Sequence, residues 1–320
     1  MGKNMKIWLI IAASLVILGS IVFGGVMSMQ KWDFKKLSTT KYETNRYDIQ
    51  EDYKDIRITA DTSDITFTPS ENSKTAIICY EQTDMKHSVS VKDGVLTISV
   101  NDTRKWYSYL SIHFSTPKIT VCLPSDQYGS LFVKEDTGDI TLPKDFSFEN
   151  VDISTSTGNV TSSACARDNI IIETSTGSIR AENVTAKTLT LSASTGKITV
   201  SNADVEGEVA TKVSTGKVKL TDVACKNLTA TGNTGGILLD NVVAAEKFTI
   251  ERTTGDVAFN ACDAAEITVR TDTGDVSGTL LTEKVFITQS DTGSVKVPNT
   301  VTGGKCQITT DTGDIIITVN

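Results

Sequence analysis

Proline and aromatic residues are scarce in this chain, and histidine is almost absent. The 320 residues include 5 prolines and 2 histidines (His87 and His113), and aromatic residues make up 6% of the sequence. The six cysteines contain no Cys-x-x-Cys pair. With so few histidines, this spacing does not support a Cys/His zinc site. What is abundant is Thr, Ser, Val and Ile, a composition typical of β-structure.

An excess of basic residues is also missing. Lys and Arg number 31 against 39 Asp and Glu, which gives a net charge of −8. No basic face is available to neutralise phosphates, and this excludes a nucleic-acid partner. The motifs place no nucleophile, general base and acid together. We therefore predict a non-enzymatic protein without catalytic or cofactor-binding residues.

One long apolar run stands at the start of the chain. Residues 7–29 carry no charged side chain, and as a helix they would span about 34 Å, enough for the hydrocarbon core of a bilayer. A cleaved signal peptide is the alternative, although its apolar region is normally only about 7–15 residues. We predict a single-pass transmembrane helix over 7–29, a cytoplasmic flank over 1–6 and an extracytoplasmic remainder. Residues 30–54 are charged and are predicted to form a membrane-proximal linker.

A Thr-Gly pair repeats ten times through the rest of the chain. Successive glycines are 19 or 20 residues apart, and so regular a period is typical of a repeat architecture. We predict that each pair forms a tight corner, because a glycine reaches positive φ at little cost. The pairs are Thr137-Gly138, Thr157-Gly158, Thr176-Gly177, Thr195-Gly196, Thr215-Gly216, Thr234-Gly235, Thr254-Gly255, Thr273-Gly274, Thr292-Gly293 and Thr312-Gly313.

Apolar and polar residues alternate on both sides of each glycine, as in half-buried strands. One such unit cannot bury its own apolar face, but a stack of them can. We therefore predict an all-β fold, a right-handed parallel β-solenoid with coils of about 19–20 residues over 136–320. The second residue after each glycine is always Ile or Val: Ile140, Val160, Ile179, Ile198, Val218, Ile237, Val257, Val276, Val295 and Ile315.

Residues 55–135 are predicted to hold a degenerate first coil and an insertion. The segment 56–67 fits the repeat with Ser63 in the place of the glycine. The insertion includes two alternating runs about Lys92-Asp93-Gly94, a pattern that predicts a hairpin. We expect this antiparallel insertion to cap the first end of the solenoid. Cys79 and Cys122 both lie in this region, where a disulfide and two free thiols are both open alternatives.

At the other end, the last repeat runs up to Asn320. We expect an uncapped C-terminal coil, whose open edge is a candidate for self-association.

Three groups of side chains are candidates for a functional role. The Asp-Thr-Gly copies match the tripeptide of aspartic proteases, but Asp interchanges with Ser, Asn and Thr at this position, so we interpret it as a turn residue. The acidic residues toward the end of the stack are calcium candidates, although a solvated acidic face is favoured: Asp272, Asp275, Asp291, Asp311 and Asp314. An aromatic cluster in the insertion is either a partner surface or core: Trp106, Tyr107 and Tyr109.

The ladder of Ser-Thr-Gly-x-Ile and Asp-Thr-Gly-Asp-Ile/Val units behind an apolar helix resembles the DUF4097 family of bacterial proteins, over roughly residues 40–320. The segments LSTTKYETN and KEDTGDITLPKDFSFENVDISTSTG are similar to Gram-positive members. The resemblance implies a β-solenoid at the cell surface, an adhesin-like role and no known enzymatic activity. It carries over no catalytic or binding residues.

Three hypotheses follow for function. The first is a surface interaction or scaffold module in the plasma membrane, with a glycan or protein partner. The second is an accessory sensor of a cell-envelope stress response. The third, a polysaccharide-active β-helix enzyme, is weakest because the exposed columns are mostly Thr, Ser and isolated charges.

Overall fold

A computed structural model describes residues 2–33, 41–103 and 115–320 of the chain. Its single helix, α1 (Lys3–Met29), lies at the N-terminus. Within it, Met5–Met29 is long and apolar enough to cross a membrane, a test that a signal sequence also passes. All other regular elements in the described ranges are β-strands.

The strands fall into a first group of seven and a second group that carries the repeat. The first group is β1 (Tyr42–Asp48), β2 (Asp55–Thr59), β3 (Asp64–Pro69), β4 (Ala76–Gln82), β5 (Met85–Lys92), β6 (Val95–Asp102) and β7 (Lys118–Leu123). The second is β8 (Gln127–Thr137), β9 (Ile140–Leu142), β10 (Ser147–Thr157), β11 (Val160–Ser162), β12 (Cys165–Thr176), β13 (Ile179–Ala186), β14 (Thr188–Thr195), β15 (Ile198–Val205), β16 (Glu208–Thr215), β17 (Val218–Thr234), β18 (Ile237–Thr254), β19 (Val257–Thr273), β20 (Val276–Leu280), β21 (Lys284–Thr292), β22 (Val295–Lys296), β23 (Gly304–Thr312) and β24 (Ile315–Val319).

The repeat forms the predicted parallel β-solenoid. Strands that precede a Thr-Gly corner pair in parallel and in register from coil to coil, as β8 does with β10 and β10 with β12. Strands that follow a corner do the same. Nine of the ten Ile or Val residues placed second after the glycine are buried, and the exception is Val295. These side chains fill one continuous apolar interior.

The degenerate coil is present and forms the first layer of the stack. β2 pairs in parallel with β8, and β3 pairs in parallel with β9. Thr62 bridges Thr137, so Ser63 stands in register with Gly138. Ser63 is fully buried, and it is not among the residues with positive φ. A serine therefore replaces the glycine here without the backbone cost that the other corners would impose.

Antiparallel strands lie beyond that first layer. β5 and β6 form the hairpin predicted about Lys92-Asp93-Gly94, and β6 pairs in parallel with β2. β4 pairs antiparallel with both β1 and β7. The position of β1 corrects the prediction of a linker over residues 30–54. The charged residues of this segment gave no apolar alternation from which a strand could be predicted. β1 lies at a sheet edge, where each residue is only partly buried or exposed.

The last two coils stack in the reverse of their chain order. β19 pairs with β23 rather than with β21, and β21 pairs with the other side of β23. The strands that follow the Thr-Gly corners show the same order, because β24 lies between β20 and β22. The coil that ends the chain is thus the penultimate layer. This corrects our expectation of an uncapped C-terminal coil, because both edges of that coil are paired.

A crossing of the chain over itself makes this order possible. Glu283 and Gly303 meet at the crossing, where a Cβ on Gly303 would lie 1.8 Å from the Glu283 carbonyl oxygen. Lys284 is buried there, with Nζ 2.6 Å from Asp263 Oδ1 and 2.6 Å from Thr282 Oγ1. The Lys284 carbonyl accepts a hydrogen bond from the Thr300 hydroxyl. A buried ion pair therefore fastens the crossing segment to the body of the solenoid.

Candidate functional site

The Thr-Gly ladder is a stacked corner. All ten glycines adopt positive φ, between 117° and 158°. Each corner also lies against the next: a Cβ on Gly216 would lie 1.6 Å from the Gly196 carbonyl oxygen. Backbone bonds join the layers, as when the Gly138 N–H donates to the Thr157 carbonyl oxygen at 2.9 Å. Both the positive φ and the lack of room for a Cβ require glycine at these positions. We therefore interpret the Thr-Gly pairs as structural corners of the solenoid.

The acidic residues directly after the glycines form a hydrogen-bonded column. The Asp275 N–H donates to Asp256 Oδ1 at 3.0 Å, and the Asp314 N–H donates to Asp275 Oδ1 at 2.8 Å. The Ser294 N–H completes the column by donating to Asp314 Oδ1 at 2.7 Å. This last bond is the main reason why the pKa of Asp314 is lowered. Backbone donors thus offset the repulsion between carboxylates on successive layers.

The other calcium candidates lie one column away, before the threonines. Because of the reversed coil order, Asp311 lies between Asp272 and Asp291. Arg270 Nε lies 3.9 Å from Asp272 Oδ1, and Gln289 Nε2 donates to Asp291 Oδ1 at 3.0 Å. In the part of the chain that the structure describes, the candidate carboxylates do not converge in threes within 4.8 Å. Calcium binding stays a prediction for this face.

A second polar ladder lines the opposite bend of the coils. Asn183, Asn202, Asp222 and Asn241, each six residues after a ladder glycine, have φ of 53–55°. Asn202 Nδ2 donates to Asn183 Oδ1 at 2.6 Å, and Asn241 Nδ2 donates to Asp222 Oδ1 at 2.7 Å. They form one wall of an open groove of about 430 Å³. Sequence reasoning missed this ladder, although Asn or Asp recurring at one position in four successive coils was a visible signal, since these residues tolerate positive φ.

The end coil, residues 284–296 (β21 and β22), closes the stack on the side away from β1. Among the described residues, β21 pairs only with β23 and β22 only with β24, so one edge of each is free. Ile287 is 51% exposed and Val295 is 42% exposed. Phe286, at a position that is buried in other coils, is only partly buried. This end therefore presents both unpaired backbone and apolar surface.

A buried polar cluster lies among the strands of the first group. Cys79 and Glu81 come from the inward face of β4, and His87 comes from β5. Glu81 Oε2 lies 2.6 Å from His87 Nδ1 and also accepts the His87 N–H at 2.6 Å. Asn45 on β1 donates from Nδ2 to Glu81 Oε1 at 2.7 Å. His87 Nε2 is buried and has no hydrogen-bond partner.

The thiol in this cluster is not part of a disulfide. Burial raises the pKa of Cys79 to about 12. Cys79 faces Ile119 across the sheet, whereas Cys122 faces Ala76, and both cysteines are free. The disulfide alternative for this pair is therefore wrong, because the register separates the two side chains along the strand. Sequence spacing could not reveal the cluster, since it depends on how β5 folds over β4.

Glu135 and Arg252 are ionisable side chains that lie buried inside the solenoid. Glu135 Oε1 accepts the Ser63 N–H at 3.0 Å, but its Oε2 is buried without a partner, and burial raises the pKa of Glu135 to about 8. Arg252 donates from Nη1 to the Val213 carbonyl oxygen at 2.9 Å, while its Nε and Nη2 have no partner. Gly232 leaves the room for this guanidinium, because a Cβ there would lie 2.0 Å from Nη1.

The aromatic candidates Trp106, Tyr107 and Tyr109 lie outside the described residues.

One known family and several solved structures are similar to this chain. The Toastrack DUF4097 family matches residues 53–212 and 206–320. A candidate adhesin of Bacteroides fragilis is 17% identical, with 87% of this chain and 97% of that chain covered and a TM-score of 0.44. A candidate lipid-binding protein of Parabacteroides distasonis is 14% identical, with coverage of 88% and 98% and a TM-score of 0.42. A candidate adhesin of the same species is 13% identical, with coverage of 85% and 98% and a TM-score of 0.41. Comparison with curated proteins gave no match.

Proposed function

The chain belongs to the Toastrack DUF4097 family, and from this premise we propose that it is a non-enzymatic, adhesin-like interaction module of the cell surface. Helix α1 anchors it in the plasma membrane, and the solenoid lies on the outer side. The length and composition of α1 support the anchor. A reporter fused after Asn320 should be extracytoplasmic, and a cytoplasmic reporter would contradict this orientation.

One observation carries the proposal, namely the free edge of the end coil. Unpaired N–H and C=O groups on a strand edge favour pairing with another strand. Natural proteins discourage such pairing with charged residues at the edge. β1, at the opposite end of the stack, follows that rule with Glu43, Arg46 and Asp48. The exposed side chains of the end coil include Ile287 and Val295 instead.

The partner we propose for this edge is the end coil of a second copy. The described strand β1 offers charged residues rather than an apolar edge, so we propose that the two end coils meet each other. Such a contact is isologous, with the same surface used on both sides of a two-fold axis. It would join copies tip to tip, as adhesion between two apposed membranes requires.

The test is vesicle clustering by the full chain. Vesicles that carry the wild-type chain should cluster, as measured by light scattering, and the double variant Ile287→Lys/Val295→Lys should abolish clustering. Leu238→Lys is the matched control, because Leu238 is similarly exposed but lies in the middle of the stack. Dispersed wild-type vesicles, or equal clustering by the double variant, would refute the tip contact.

The same assay with calcium and with a chelator tests the acidic candidates near this end. If clustering of wild-type vesicles requires calcium and clustering of Asp291→Asn vesicles does not respond to it, the Asp291 carboxylate takes part in the contact.

A further inference from the structure

We propose that Cys79, Glu81 and His87 form a binding site for one zinc ion. The Cys79 Sγ, a carboxylate oxygen of Glu81 and a ring nitrogen of His87 all lie within 4.8 Å of one another. Thiolate, carboxylate and imidazole are the three kinds of side chain that bind zinc in proteins. The ligand atoms of a tetrahedral zinc ion lie roughly 3–4 Å apart, so small side-chain movements bring these donors to an ion.

The imidazole has coordination capacity that the protein itself leaves unused. His87 is 4% exposed, and its Nε2 has no hydrogen-bond partner. An unpaired polar atom of this kind is costly in an apolar interior. A zinc ion would satisfy Nε2, and Glu81 would leave its present contact with Nδ1 to become a ligand of the same ion.

Charge balance also favours a divalent cation. With the Cys79 thiolate and the Glu81 carboxylate as ligands, a zinc ion gives a site with no net charge, which is the cheapest form for a buried ion site. Binding transfers the thiol proton to the solvent. Three side chains supply three ligands, and a water or a backbone carbonyl completes the tetrahedron.

The ion would fasten together two strands that share little else. In the described ladders, β4 and β5 are joined by a single register pair, Gln82 with Met85. Cys79 and Glu81 lie on one of these strands and His87 on the other. A zinc ion between them would hold β5 against β4. It would thereby tie the β5–β6 hairpin, which β6 already joins to β2, to the antiparallel strands β1, β4 and β7.

The experiment uses the full chain in detergent, unfolded with a chelator and refolded with or without zinc, because the site is buried. We expect one tightly held zinc ion per chain by elemental analysis and a higher unfolding temperature with zinc. Refolding with Co²⁺ should give the thiolate-to-cobalt absorption band. Cys79→Ser should abolish that band and stoichiometric zinc, whereas Cys122→Ser should leave both unchanged. Asn45→Ala should weaken zinc binding about tenfold, because Asn45 orients Glu81.

The wild-type chain can overturn the proposal without any variant. If it refolds but holds zinc far below one ion per chain and shows no thiolate-to-cobalt band, the cluster is only a hydrogen-bonded core. Full zinc binding by Cys79→Ser would place the metal elsewhere and would also overturn it.

Discussion

Replacing Glu135 with Gln should remove a pH-dependent loss of stability at the join between the first two layers. Glu135 is 1% exposed. Burial raises its pKa to about 8 from an ordinary value of 4.5, so the folded chain keeps a proton that the unfolded chain releases between these pH values. The stabilising effect of this proton is fully present below pH 4.5 and is lost as the pH rises to about 8.

The size of the effect follows from the shift of about 3.5 pKa units. Each unit corresponds to about 1.4 kcal/mol, so the free energy of unfolding falls by about 5 kcal/mol across this pH range. Gln has nearly the same shape and no charge, and it escapes this loss. We expect the variant and the wild type to agree within about 1 kcal/mol at pH 5. At pH 8.5 the variant should be about 4–5 kcal/mol more stable.

The assay compares denaturant unfolding of the two full-length chains across that pH range. Amide hydrogen exchange of Ser63, whose N–H donates to Glu135, reports the same effect locally. Glu173→Gln is the control, since Glu173 is an exposed carboxylate on the outer face of the solenoid. Parallel stability curves for Glu135→Gln and the wild type would refute a buried carboxyl that stays protonated near neutral pH.

Three further predictions concern thermal unfolding of the full chain. Gly235→Ala should cost more than about 3 kcal/mol, because it combines positive φ with a Cβ 2.0 Å from the Gly216 carbonyl oxygen. Gly236→Ala should cost about 1 kcal/mol or less, because its φ is not positive and its Cβ would lie 3.3 Å from the Asp256 carbonyl oxygen, a contact that a small shift relieves. Equal losses would contradict the ladder geometry. Lys284→Ala should cost about 3 kcal/mol by removing the cation that pairs with Asp263, whose carboxylate keeps only its hydrogen bonds from Thr282 and Ala264. An unchanged midpoint would argue against that ion pair as the contact that holds the crossing segment. Arg252→Met should stabilise by about 1–3 kcal/mol, because it removes a buried, poorly paired guanidinium; a loss of stability would show that the guanidinium is better satisfied than its contacts suggest.

Much of the solenoid could be predicted from the sequence because each coil obeys the same local rules. The glycine corners and the alternation around them fix the strands and the face that each buries. Even the serine at position 63 could be placed, since the residues around it keep the pattern. The hairpin about Gly94 could be predicted for the same reason, because its turn and its two strands are adjacent in the sequence.

The order of the last two layers could not be predicted, because their spacing is the same in either order. The glycines at 274, 293 and 313 are 19 and 20 residues apart, which is the ordinary period. The available signal was weak: the Gly303-Gly304 pair, where the chain crosses with no room for a Cβ. The cluster around His87 was out of reach for another reason, since it depends on long-range contacts between β4 and β5.

The reversed layer order makes closure of the stack depend on the synthesis of residues 304–319. Layers up to β20 can be added one after another as the chain emerges. The segment 284–296 emerges next, but the layer on which it rests, residues 304–319, has not yet been made. These two layers must therefore close together, after residues 304–319 have emerged. Until then a nascent chain carries an unfinished edge, exposed to chaperones and proteases, whereas in the folded molecule β24 is held between β20 and β22.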